Sequence, residues 1–106
     1  MSASRFDTLK KFLDEDPNDC FTHYAIALEY VSTQKIPEAI AKFDEVIKLD
    51  PNYVPAYHQL GLLLAKLNRN NEALEMFERG IQVAALIGDT HAQSEMQEAI
   101  DELEER

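Results

Sequence analysis

Three histidines, His23, His58 and His91, recur at nearly even intervals, and one cysteine, Cys20, stands just before the first of them. Imidazoles can hold a metal, and a thiolate can attack a substrate. A metal centre needs ligands that converge on one point, typically two on a single helical face as in His-Glu-x-x-His. These three fall on different helices, so they read as structural residues and no metal is expected. Cys20 at a helix start could have a lowered pKa, but no neighbouring residue suggests catalysis. With no nucleophile–base pair and no phosphate loop, no catalytic residue, no cofactor and no enzymatic activity are expected. The remaining charged group is Glu95, Glu98, Asp101, Glu102, Glu104 and Glu105. It reads as a solvated face, with an electrostatic dock for a basic partner as its functional reading.

The composition narrows the partners. A chain of 106 residues with 45% apolar and 28% charged side chains suits one globular domain. Its formal net charge of −10 disfavours nucleic acid, whose phosphates must be met by Lys and Arg, and anionic membrane surfaces likewise. No apolar run is long enough for a transmembrane helix. The N-terminus lacks the apolar segment of a signal peptide, and a single cysteine fits a reducing compartment. The expected location is cytoplasmic.

The elements that position these residues follow a fixed step. Asp16-Pro17-Asn18 returns as Asp50-Pro51-Asn52, and Leu28, Glu38, Ala39, Phe43 and Ile47 return by the same step as Leu62, Glu72, Ala73, Phe77 and Ile81. A period of this size marks helical units that bury their apolar faces on one another. Phe6, Leu9, Phe12 and Leu13 share one face of a leading helix over 4–15. Asp16-Pro17 ends it, and Asn18 or Asp19 caps a second helix over 19–33, apolar over most of its circumference. Pro37 and Pro55 sit in the first turns of the third and fourth helices, where a missing N–H costs little. The buried stripe of the third helix is Ala39, Ile40, Phe43, Val46, Ile47 and Leu49. Asn52 and Asn70 are expected caps of the fourth and fifth helices. Ala85 stands where Pro51 stood, so the fifth helix runs on to Gly88. Thr90-His91-Ala92-Gln93 has capping-box spacing for a sixth helix, which closes the stack.

On these residues the chain resembles the tetratricopeptide repeat (TPR) family. That family's helix–turn–helix unit repeats every ~34 residues, with small, aromatic and proline positions at fixed offsets. The matching positions are His23, Ile26, Ala27, Tyr30, Ala39, Phe43, Val46 and Pro51, then Tyr57, Leu60, Gly61, Leu64, Ala73, Phe77, Gly80 and Ala85. His23 departs from the usual large aromatic, and Gly80 marks close packing against the sixth helix. The resemblance implies an all-α, right-handed superhelix of six helices forming a single domain. Its parts are a leading helix at 4–18, repeats at 20–53 and 54–87, and a capping helix at 88–106.

Members of the family commonly bind a peptide or helix of another protein in a groove lined by the first helix of each pair. The resemblance therefore implies a protein-binding groove lined by Tyr24, Leu28 and Val31, then His58, Gln59, Leu62 and Lys66, with Ala92, Met96 and Ala99 on the last helix. Some members clamp an acidic chaperone C-terminus with cations. Here Tyr24, Leu28, Gln59, Asp89 and Gln93 take the clamp positions, and none is a cation. The expected function is a protein–protein interaction module. The alternative is a homodimer formed through the same groove or through an end of the array.

Overall fold

The computed structural model describes residues 4–106, and these form six helices with no strand. They are α1 (Arg5–Glu15), α2 (Cys20–Ser32), α3 (Ile36–Leu49), α4 (Val54–Lys66), α5 (Asn70–Ile87) and α6 (Thr90–Glu104). The repeat spacing is visible in the backbone: α2 and α4 start one full step apart, and so do α3 and α5. The chain divides into two compact units, one ending at Asp50 and one running from Pro51 to Arg106.

In the first unit α2 packs on α3, and α1 packs on α2. Ala25, Ile26 and Ala27 of α2 and Ala39, Phe43, Val46 and Ile47 of α3 are buried. Phe43 and Val46 lose all solvent contact, each contributing roughly 1.5–3 kcal/mol of apolar burial. Phe6 anchors α1 through a ring contact with Tyr30 at 5.3 Å. Two positions that the helical period assigns to buried faces stay open: Phe12 is 52% and Leu49 39% exposed. Phe21, one of the apolar positions of α2, is exposed as well. Periodicity selects a face, but a neighbour must arrive to bury it.

In the second unit α4 packs on α5, α5 packs on α6, and α6 also touches α4. Tyr57, Leu60, Leu64, Phe77 and Met96 form its interior. Gly61 lets the α4 backbone lie on the Phe77 ring, which a Cβ there would overlap. A Cβ on Gly80 would come within 2.5 Å of Met96 Sδ and 2.8 Å of Tyr57 Cβ. The expected close packing of Gly80 against the sixth helix is thus made by Met96.

Helix ends repeat as closely as helix interiors. Gln34 (φ 64°) and Asn68 (φ 60°), which occupy equivalent points of successive repeats, both adopt the left-handed conformation. Lys35 N–H then bonds Tyr30 O at 2.8 Å, and Arg69 N–H bonds Leu64 O at 2.9 Å, the six-to-one closure of a Schellman end. Gly88 (φ 78°) ends α5 the same way, with Asp89 N–H on Ala84 O. The N-termini correct three expected caps. Asp19 does cap α2, accepting from Thr22 N–H. The cap position of α4, however, is Tyr53 rather than Asn52, and that of α5 is Arg69 rather than Asn70. Asp89, not Thr90, caps α6, by accepting from Ala92 N–H at 3.0 Å. A polar residue caps a helix only from the position directly flanking it: Asn70 and Thr90 are already inside their helices, and Asn52 lies one residue too far out.

Candidate partner-binding site

The histidine that departs from the repeat pattern does the pattern's work. Tyr57 hydroxyl donates to Pro51 O at 2.7 Å. In the preceding repeat His23 Nε2 stands 2.7 Å from Pro17 O. A carbonyl only accepts, so that nitrogen carries the proton, and Nδ1 faces Lys42 Nζ at 3.4 Å. His23 is 3% exposed and is a structural residue. His58 and His91 lie on α4 and α6, and no group of three metal-binding side chains converges among the described residues. Cys20 Sγ lies 3.5 Å from Val46 O. Burial, reinforced by Asp50 and Asp19, pushes its thiol above the ordinary range, the opposite of what a nucleophile needs.

In the first unit the implied groove residues Tyr24, Leu28 and Val31 share one face of α2 at helical spacing, and all three are half-buried. Tyr24 rests against Phe43 with ring centroids 6.1 Å apart, and burial raises its phenol pKa. The same ring contact recurs one repeat on, where His58 meets Phe77 edge-on at 6.4 Å.

In the second unit His58 and Gln59 are half-buried, while Leu62 is 37% exposed and Lys66 is exposed. His58 and Leu62 form one wall of a cleft of about 200 Å³. The other wall is α6, through Glu95, Glu98, Ala99 and Glu102. These α6 positions fall at i, i+3, i+4 and i+7, one helical stripe. Beside it runs the stripe of Ala92, Met96, Ile100 and Leu103, which is buried.

Met96 therefore does not belong to a solvent-facing groove. It is wholly buried, pressed onto Gly80 as core of the second unit; Ala92 is buried beside it, and Ala99 alone of the three lines the cleft. The side chains that face the cleft from α6 are glutamates of the face that the sequence marks as solvated. Their stripe spacing is visible in the sequence, but the proximity of α4 is not. Glu95 lies 3.3 Å from His91 Nε2. Among the described residues no salt bridge engages Glu98, Glu102 or Lys66.

This architecture is that of a helical-repeat protein, and comparison with known proteins names the repeat. The TPR repeat model matches residues 27–68, and a tetratricopeptide repeat model matches residues 54–85. A tetratricopeptide repeat domain protein from Salinibacter ruber, solved by solution NMR, is 38% identical. It superposes with a TM-score of 0.80 over 84% of this chain and 90% of its own. The chain belongs to the tetratricopeptide repeat family, whose repeats are interaction modules rather than enzymes.

Among curated proteins, the chloroplastic tetratricopeptide repeat domain-containing protein PYG7 of Arabidopsis thaliana is 30% identical over 73% of this chain. The chain spans 26% of that protein's length. A complex of the TPR2B domain of yeast Sti1 with pHsp70 shares the fold at a TM-score of 0.86 and 20% identity, over 94% of this chain and 80% of the other. No helix among the described residues is long and apolar enough to cross a membrane.

Proposed function

We propose that this chain is a non-enzymatic protein-interaction module that docks a peptide or helical segment of another protein on the first helix of each repeat. Each unit would offer its own face: Tyr24, Leu28 and Val31 on α2 in the first, and His58, Gln59, Leu62 and Lys66 on α4 in the second. The observation that carries this reading is the cleft beside α4, in which Leu62 stays 37% exposed next to a ring-braced histidine. An apolar side chain left open in a concavity, beside polar groups that can orient a ligand, is how binding sites are commonly built. The repeat places Leu28 at the equivalent point of α2. The Sti1 TPR2B domain is held in a complex with pHsp70, which supports partner binding by this fold. The same partner is not expected for this chain, because no cation occupies its clamp positions. Cytoplasmic residence is proposed on the single unpaired cysteine.

The test is affinity capture of cellular proteins with the parent chain, with Leu62→Asp, and with Leu28→Asp/Leu62→Asp. Helicity is measured on each to confirm folding. Loss of captured proteins from folded variants is the expected result. An unchanged capture profile overturns the docking reading. A homodimer using the same faces would appear instead as a mass that rises with concentration in the parent and not in the variants.

A further inference from the structure

The α4–α6 cleft combines an apolar side chain on each wall with a row of carboxylates along α6, and that combination selects its occupant. Leu62 and Ala99 form the apolar part, and Glu95, Glu98 and Glu102 stand along α6 at i, i+3 and i+7. α6 carries no lysine or arginine, and Arg106, just past its end, is held on Ala65 O at 2.9 Å. Like charges one helical turn apart repel weakly, so an incoming cation would offset that repulsion. Lys66, one turn beyond Leu62, does not line the cleft. A volume of about 200 Å³ is below the range of pockets that enclose whole small molecules, roughly 300–1,000 Å³. It suits one or two inserted side chains.

We propose that the α4–α6 cleft takes a cationic amphipathic segment of a partner protein, with an apolar side chain on Leu62 and Ala99 and an arginine or lysine between Glu98 and Glu102. This rests on the docking reading above and specifies its partner class. An acidic segment is excluded by the same glutamates, because a carboxylate brought beside them would gain repulsion in place of hydration.

The test uses the full chain, isotope-labelled, titrated with two synthetic helical peptides. One carries leucine and arginine at helical spacing, and the other has glutamate for every arginine. Affinity is read by fluorescence anisotropy and location by amide chemical shifts. The arginine peptide is expected to bind saturably, shifting His58, Leu62, Glu98, Ala99 and Glu102. Glu98→Gln/Glu102→Gln, at exposed positions of α6, should weaken it about fivefold to tenfold, as should raising salt to about 0.5 M. The glutamate peptide should not bind. Equal binding of both peptides, absence of binding by the arginine peptide, or affinity indifferent to the double substitution would overturn the assignment. Should capture through Leu28 and Leu62 survive any of these results, docking stands and only the cationic preference falls.

Discussion

Gly61→Ala separates two opposing effects of known size. Alanine in a helix interior is favoured over glycine by about 0.8–1.0 kcal/mol, so an open site would be stabilised. At Gly61 the new Cβ would meet three atoms of the Phe77 ring at less than contact distance. Phe77 is 1% exposed and braced by His58, so the ring has no solvent to swing into. Overpacking of a filled interior costs about 1–3 kcal/mol. Strain wins, and a net loss of about 1 kcal/mol is expected, a fall of about 4–8 °C in the melting temperature. The equivalent position one repeat earlier is Ala27, which is fully buried and already holds a Cβ. There the reverse change, Ala27→Gly, should also destabilise by about 1 kcal/mol. Thermal unfolding followed by circular dichroism reads both. Amide shifts at His58 in Gly61→Ala would show the displaced ring reaching the cleft. A Gly61→Ala protein more stable than the parent by about 1 kcal/mol would refute the close α4–α5 approach.

Gln34 is a non-glycine residue at φ 64°, a conformation that costs an L-residue roughly 1 kcal/mol; Gln34→Gly should raise the melting temperature by a few degrees. Glu45 accepts from Lys42 Nζ at 2.8 Å, and chiefly this bond holds its carboxyl below the usual range. A depressed folded pKa gives stability that is present above the unfolded pKa and is lost as pH falls through the folded one. Glu45 is 48% exposed on its side chain, so the effect is a few tenths of a kcal/mol. Urea titrations should find Glu45→Gln weaker than the parent at pH 7 and equal to it in strong acid; a constant difference at all pH values would be inconsistent. Cys20, with its raised thiol pKa, should alkylate with iodoacetamide at neutral pH more slowly than a free thiol, and should reach that rate on unfolding in urea.

Much of this organisation is legible in the sequence because it is repetitive. Asp16-Pro17 and Asp50-Pro51 announce where helices stop, and the loss of proline at Ala85 announces the longer α5. Gly80 announces its partner helix. The differences between sequence and structure have a common physical origin. Phe12, Phe21 and Leu49 obey a helical period, which is a property of one helix, while burial is a property of two. Met96 holds a groove position in the repeat pattern. Its side chain instead fills the space that Gly80 vacates, so the last helix turns its glutamate stripe toward α4. Asn52, Asn70 and Thr90 each stand one residue away from the true cap, because composition marks a helix start only to within a residue or two.

His23 and Tyr57 share almost no chemistry beyond a ring and a polar hydrogen, yet each delivers that hydrogen to the carbonyl of a proline six positions earlier. Selection at this site can therefore act on where a donor arrives rather than on which side chain brings it. Tryptophan would meet the same geometric demand where its longer ring fits, whereas phenylalanine would satisfy bulk alone and leave the carbonyl to water. Degenerate copies of the unit could be recognised by scoring proline at one point and any ring donor six places on, even after the customary aromatic has drifted away.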